Sequence, residues 1–208
     1  MAQVLKDEFR QAIINAAKQE FFEKGYKNAS MRSIAAKANM TVGNLYRYFK
    51  NKEEINLSIV GPTYKKIDYV LKTLSKDNIS MEPRVFNIKP DSRQLKQLLN
   101  TFSNELVKIY YSSPTEFNIL MLHSKLSEEI VEWFSDISKS LIFDTLNISG
   151  NSNIIDDLSN AFAKSVFSGI QSIFLSADNS IKKTKDLLSY YLNSYIDMLN
   201  NDIRKLSE

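Results

Sequence analysis

The chain has 208 residues and a net charge of +3, long enough for a sizeable core or for one small and one larger domain. It has no cysteine and a single histidine, which excludes disulfides, thiolate metal sites and cysteine nucleophiles and suits a reducing compartment. No run approaches the roughly eighteen apolar residues of a membrane span, and Lys6, Asp7, Glu8 and Arg10 interrupt the apolar core a signal peptide needs, so a soluble cytoplasmic protein is expected.

The pattern predicts an amphipathic helix over residues 6–24. Phe9, Ala12, Ile13, Ala16, Ala17 and Phe21 form its buried stripe, and Gly25 supplies the positive φ that closes such helices. The next stretch, residues 30–52 (SMRSIAAKANMTVGNLYRYFKNK), organises the rest of the reading. Ser30 is placed to cap a short helix whose Ile34, Ala35 and Ala38 recur at buried spacing. Asn39 visits the left-handed conformation more cheaply than most residues with a Cβ and can reverse the chain there. Thr41 then restarts a helix in which Leu45 and Phe49 point inward, four apart, while Asn44, Arg47 and Tyr48 face out. A polar N-terminus backed by an apolar anchor, with hydroxyls and cations beside it, is a recognition-helix layout.

Charge distribution agrees with that layout. Residues 1–56 hold ten Lys or Arg against six Asp or Glu, whereas residues 57–208 hold seventeen against eighteen. The basic excess therefore lies in the N-terminal quarter, the footprint expected of a duplex-DNA binder. Within the reader, Arg32, Thr41, Tyr46, Tyr48 and Lys52 suit phosphate contacts, because hydroxyls, cations and helix N-termini fit that acceptor. Val42, Asn44 and Arg47 are the base-reading candidates: Val for a thymine methyl, Asn for adenine, Arg for guanine. Gly43 has no side chain, so the backbone can approach the groove. Tyr46 and Tyr48 have an alternative as core aromatics. About three cations per subunit on phosphates predict a slope of log affinity on log salt of roughly −5.

These residues resemble the TetR family of bacterial transcriptional regulators. The matching elements are Phe21-Phe22-Glu23-Lys24-Gly25-Tyr26, Ile34-Ala35, Thr41, Leu45-Tyr46, Tyr48-Phe49-Lys50 and Lys52-Glu53-Glu54-Ile55. The resemblance covers roughly the first 55 residues; beyond them only length and an all-helical pattern agree. Asn39 stands where the family usually has Gly, and Ser33 where a capping-box Glu is common, so a less well held first turn is expected.

A fourth helix is predicted from Asn51 to about Ser75, capped by Asn51 and with Glu53 and Glu54 complementing its N-terminal dipole. Lys52 in its first turn is placed to reach a phosphate beside the free N–H groups. Gly61-Pro62 falls in its middle, where proline removes a donor and collides with the Ser58 carbonyl. A kink or break is expected between Ile59 and Tyr64, either a helix end or a hinge. Residues 77–91 carry two prolines without helical period and read as a loop or extended excursion. Helices follow from Ser92 to about Tyr111, from the start signal Ser113-Pro114-Thr115-Glu116 to about Lys125, and from Ser127-Glu128-Glu129 to about Leu146. Residues 147–153 (NISGNSN) read as a linker.

The helix over about 154–177 has a wide apolar arc that includes Leu158 and Phe162. Beside that arc runs a stripe of small residues, Ala161, Ser165, Ser168 and Ser172, with Gly169 nearby. One core needs one stripe, so two packing partners are expected. The last helix, about 181–206, repeats Leu188, Leu192, Tyr195 and Leu199 in a near-heptad, continuing to Ile203 and Leu206. Two such helices from each of two subunits would make a four-helix interface, which is how relatives in the resembled family dimerise; the alternative is an intrachain hairpin.

The expected fold is all-α, with a three-helix helix-turn-helix domain at 1–52 joined by a helix to a larger ligand-binding and dimerisation domain at 53–208. The resemblance implies a pocket in that larger domain for a small apolar or aromatic effector. Phe102, Tyr110, Phe117, Met121, Trp133 and Phe167 are its candidate lining, while Phe143 adds aromatic bulk. Residue by residue, ordinary core packing is the competing account.

By resemblance the chain reads as a ligand-responsive repressor that binds a palindromic operator as a homodimer. The alternative keeps the reader but uses the second domain as a scaffold or co-activator surface for another protein. An enzyme finds least support, with five Gly, no phosphate-cradling loop and no nucleophile motif. Glu128, Glu129 and Glu132 are better explained by capping and a solvated face. No metal site or cofactor is expected, since His123 has no locatable carboxylate partners.

Overall fold

The computed structural model describes residues 2–78, 92–123, 125–146 and 152–205. Among the described residues every regular element is helical: α1 (Ala2–Asn28), α2 (Met31–Lys37), α3 (Val42–Tyr46), α4 (Lys52–Asn78), α5 (Ser92–Ser112), α6 (Pro114–His123), α7 (Lys125–Leu146), α8 (Ser152–Leu175) and α9 (Ile181–Lys205). Of the linker expected at 147–153 and the excursion expected at 77–91, residues 147–151 and 79–91 lie outside the described residues, as do the side chains of His123, Phe143, Ile203 and Leu206, while Ser152 and Asn153 belong to α8 and Asp77 and Asn78 to α4.

Two compact units form, and they divide elsewhere than at 52/53. The first comprises Met1–Lys66 and Ser113–Ser124, and the second comprises Ile67–Ser112 and Lys125–Glu208. The first unit is therefore more than the reader, because α6 packs on α1 and Lys18 pairs with Glu116. Ile13, Ala17, Phe21, Ile34, Leu45, Phe49, Ile55 and Phe117 are among its fully buried apolar side chains. The α6 start signal forms as its sequence suggests, with the Phe117 N–H donating to the Ser113 carbonyl at 3.0 Å.

Gly25 takes φ 75° and turns the end of α1, as a closing glycine does, although helical residues resume as far as Asn28. The break expected at Gly61-Pro62 is not found, because α4 runs through Pro62 as one helix. Pro62 is exposed, so its missing donor and its ring lie at the solvent edge. Ile59, Val60, Thr63 and Ile67 are buried on either side of it. Keeping those positions in register outweighs one absent hydrogen bond, worth about 1 kcal/mol net.

In the second unit α7 pairs with α8 and α5 pairs with α9, while α9 also meets α7 and α8. Its centre is aromatic. The Phe102 ring lies 4.8 Å from Trp133 and 5.7 Å from Phe134, and Tyr110 lies 4.9 Å from Phe174. Polar ties fix register between helices: Asn193 donates to Asn100 at 3.2 Å, Ser103 meets Ser189, and the Tyr111 hydroxyl donates to the Asp178 carbonyl at 2.6 Å.

Candidate nucleic-acid interface

The reader is assembled by local chemistry that the sequence announces. Ser30 Oγ accepts from the Ser33 N–H at 3.0 Å while Ser33 Oγ accepts from the Ser30 N–H at 3.1 Å, a complete capping box. The weaker first turn expected from Ser33 is thus corrected: serine reaches back as far as the missing Glu would need to. Asn39 adopts φ 53°, the left-handed turn predicted for it, and the Met40 N–H donates to the Ala35 carbonyl across that turn. Thr41 then caps α3, its Oγ1 accepting from the Asn44 N–H at 3.2 Å. Leu45 and Phe49 are buried behind the helix.

The outward side carries most of the predicted contacts. Arg32, Thr41, Gly43 and Arg47 are exposed, Tyr46 is 52% exposed, and Val42 and Asn44 are partly exposed. A Cβ built at Gly43 would meet nothing within 4 Å, so the free protein leaves open space there. Tyr48 is half-buried, its ring 6.2 Å from Phe9. Lys50, which the sequence reading left unassigned, is exposed beside α3; its position directly after the reader was the available signal.

Lys52 is held differently from the others in this set. Its ammonium donates to the carbonyls of Tyr26, Ala29 and Lys27 at 2.6, 2.8 and 3.3 Å and lies 4.4 Å above the Tyr26 ring. An ammonium has three protons, and these carbonyls take them. The start of α4 is also occupied: Asn51 Oδ1 accepts from the Glu54 N–H at 2.8 Å, and a Glu54 carboxylate oxygen accepts from the Lys50 N–H at 2.7 Å. A carboxylate already sits where a phosphate was expected.

Behind the reader, α1 and α2 are joined by a charged network. Glu20 is fully buried and meets Lys24 at 2.8 Å and Lys37 at 3.3 Å, and Lys37 also pairs with Glu23. Burial pushes the Glu20 carboxyl upward, but hydrogen bonds from Lys24, Ser33 and Lys37 outweigh it and hold the group below its ordinary value. Glu23 is likewise held low, chiefly by Lys37, whose own value is raised mainly by Glu23.

The residues expected to line an effector pocket fall in two places. Phe117 and Met121 belong to the first unit, whereas Phe102, Tyr110, Trp133 and Phe167 belong to the second. The sequence reading grouped them by aromatic content; within the second unit Phe102 and Trp133 are core neighbours. A groove of about 560 Å³ between α7 and α8 does include Phe167, but most of its lining residues carry polar or charged side chains, among them Glu128, Glu132, Asp136, Lys139 and Lys164. Trp133 Nε1 is buried without a hydrogen-bond partner.

The expected dimer residues also separate. Leu188, Leu192, Tyr195 and Leu199 are buried inside the second unit, where α9 packs on α5 and α7, so the near-heptad serves the subunit's own core. Tyr195 bonds the Ser138 hydroxyl, and burial pushes its phenol up to about 12. Gly169 is likewise an intrachain contact, since a Cβ there would lie 2.1 Å from the Tyr191 hydroxyl, which donates to the Ser165 carbonyl. Ser165 and Ser172 are exposed, and Leu158 and Phe162 partly so. On α9 the exposed apolar side chains are Ile181, Leu187, Tyr190 and Met198.

Among the described residues, no helix is long and apolar enough to cross a membrane and no group of three His, Cys, Asp or Glu is placed to hold a metal ion.

Comparison with known proteins bears on the same segment. Residues 13–59 match the model of bacterial regulatory proteins of the tetR family. Sixty-one residues are 36% identical to the HTH-type transcriptional repressor KstR of Mycolicibacterium smegmatis, over 29% of this chain and 30% of that protein. The chain thus matches less than a third of the length of the first curated relatives. An uncharacterized HTH-type transcriptional regulator in the lacX 3' region of Lactococcus lactis is 25% identical over 96% of this chain and 95% of its own. A crystal structure of a TetR-family transcriptional regulator from Bordetella parapertussis superposes with a TM-score of 0.54 at 16% identity, over 92% of this chain and 94% of that one. At that identity the likeness concerns the fold.

Proposed function

Because this chain belongs to the TetR family of bacterial regulatory proteins through its N-terminal segment, we propose that it is a ligand-responsive repressor that binds a palindromic operator as a homodimer. The observation that carries the proposal is the sidedness of α3. Leu45 is buried, while Gly43 and Arg47 are exposed on the far side of the helix and Val42 and Asn44 are partly exposed on its flanks, with nothing within 4 Å of a Cβ built at Gly43. That surface matches what a major groove reads: a donor-acceptor amide, a guanidinium, a methyl-bearing side chain and a close backbone. Arg32, Thr41, Tyr46 and Tyr48 are assigned to phosphate, which sets register without reading sequence.

Pairing of two copies fixes the half-site spacing. The face that supports it is the small-residue stripe Ala161, Ser165, Ser168 and Ser172 on α8, with Leu158 and Phe162 beside it and Leu187, Tyr190 and Met198 on α9. Regulation requires an effector that prefers the arrangement unable to hold DNA; a hundredfold preference corresponds to about 2.7 kcal/mol. The proposed effector is small and apolar or aromatic, and the Trp133 N–H, buried without a hydrogen-bond partner, is the group that would bond an acceptor on it.

Selection of duplexes from a random pool tests the proposal. A two-fold symmetric site should emerge with wild-type protein. Asn44→Ala and Arg47→Ala should each relax one position per half-site, at about 1–3 kcal/mol per lost bidentate pair. Recovery of no preferred sequence, or of a preference unchanged in both variants, refutes it.

A further inference from the structure

Lys52 opens α4 immediately after the reader, yet its charge points back to the end of α1. The three carbonyls it engages belong to Tyr26, Lys27 and Ala29, where a helix end leaves C=O groups without intrahelical partners and the dipole is negative. They converge because Gly25, at φ 75°, turns the chain just before them. The Tyr26 ring completes the seat from one side and is itself braced by Phe21, 5.5 Å away.

We infer that Lys52 is a positioning residue that clasps shut the two ends of the helix-turn-helix segment, and that it does not contact phosphate. The bond to the Ala29 carbonyl joins residues 23 apart, and α2 and α3 lie between them. Those helices have seven and five residues, far below the roughly twelve at which an isolated helix holds itself together. Their placement depends on anchors: Leu45 and Phe49 hold the middle, and Lys52 holds the ends. A second feature argues against a phosphate at this helix start: the Glu54 carboxylate already accepts from the Lys50 N–H there. Loss of the ammonium leaves three carbonyls without their donor and frees the reader to shift against α1.

The consequence for DNA rests on the function proposed above, whereas the clasp does not, and the experiment separates them. Full-length wild type, Lys52→Met, Lys52→Arg and Arg32→Ala are compared by amide hydrogen exchange, and by binding to the wild-type-selected duplex across a salt series. Lys52→Met is expected to lose protection over residues 30–50 but not in α7 or α8, and to bind about tenfold more weakly with the salt slope unchanged. Arg32→Ala, at a residue assigned above to phosphate, should keep protection and lower the slope by about 0.9 for each phosphate given up. Lys52→Arg keeps the charge but spreads its donors over a flat fork, so it should fall between wild type and Met, and it serves if Met does not fold. A lowered slope with protection retained, protection lost throughout the chain, or no change at all would each overturn the clasp. If wild type selects no duplex, the function fails, and exchange over residues 30–50 alone still decides the clasp.

Discussion

Gly43→Ala separates folding from recognition more cleanly than any loss of a side chain. In the free protein the new Cβ would meet nothing within 4 Å, and Gly43 does not need positive φ. The substitution therefore replaces the poorest helix former but proline with the best, at a position inside the five-residue α3. The expected gain is up to about 1 kcal/mol. Differential scanning calorimetry or urea denaturation should show the first unit equally or more stable. On DNA the sign reverses. If the α3 backbone approaches base edges at Gly43, an added methyl overpacks a contact that was closed, at a cost of about 1–3 kcal/mol, which is roughly five- to 150-fold in dissociation constant. Fluorescence anisotropy on the selected duplex measures it. Unchanged affinity would show that Gly43 does not face the groove, and lowered stability would show that α3 is not the helix described.

Other substitutions probe the remaining features. Asn39→Ala should cost about 1 kcal/mol in urea denaturation, because alanine pays the left-handed penalty without asparagine's local hydrogen bonding, and Asn39→Gly should be neutral or stabilising. Gly169→Ala must expel the Tyr191 ring and break its bond to the Ser165 carbonyl. The expected loss is about 1 kcal/mol of hydrogen bond, offset by a similar gain in helix propensity, so the sharper readout is a shift of the monomer–dimer equilibrium in sedimentation as the ring is pushed toward the small-residue face. Glu20 and Glu23 have folded values below the ordinary 4.5, so their contribution is present above that value and is lost as pH falls through the depressed folded values. Stability should therefore be level near neutrality and decline below about pH 4.5, and Glu20→Gln should flatten the Glu20 part of that acid limb while lowering the neutral plateau.

The reader was legible because its signals are local. Ser30, Asn39 and Thr41 act within four residues of themselves through hydroxyl caps and a left-handed turn, so their spacing alone specifies what they do. Leu45 and Phe49 likewise need only to be apolar four apart. The second unit was legible as helices but not as partners. Leu188, Leu192, Tyr195 and Leu199 form a stripe that fits an intersubunit seam or an intrachain core equally well, and periodicity does not name the other side. Gly169 looked like room for a second helix and is room for Tyr191. The absence of a break at Pro62 has a related reason: a breaker rule weighs the lost bond, while the outcome depends on buried neighbours that lie elsewhere in the fold.

The same distinction governs the charge argument. Ten cations in residues 1–56 suggested a broad basic face, but several are tied to the protein itself. Lys18 pairs with Glu116, Lys24 and Lys37 with the Glu20 and Glu23 carboxylates, and Lys52 with carbonyls, while Arg10 lies 4.9 Å over the Phe49 ring. Arg32, Arg47 and Lys50 stand exposed around α3. Net charge steers a protein toward DNA, but contacts that release counterions require side chains able to leave their intrachain partners. Each tied cation would have to exchange a short protein contact for a phosphate, whereas Arg32, Arg47 and Lys50 would exchange only water. The electrostatic part of binding should therefore come from these few side chains: losing Arg32 on α2 should weaken binding to all sequences alike, whereas losing Arg47 on the α3 side should cost sequence preference as well.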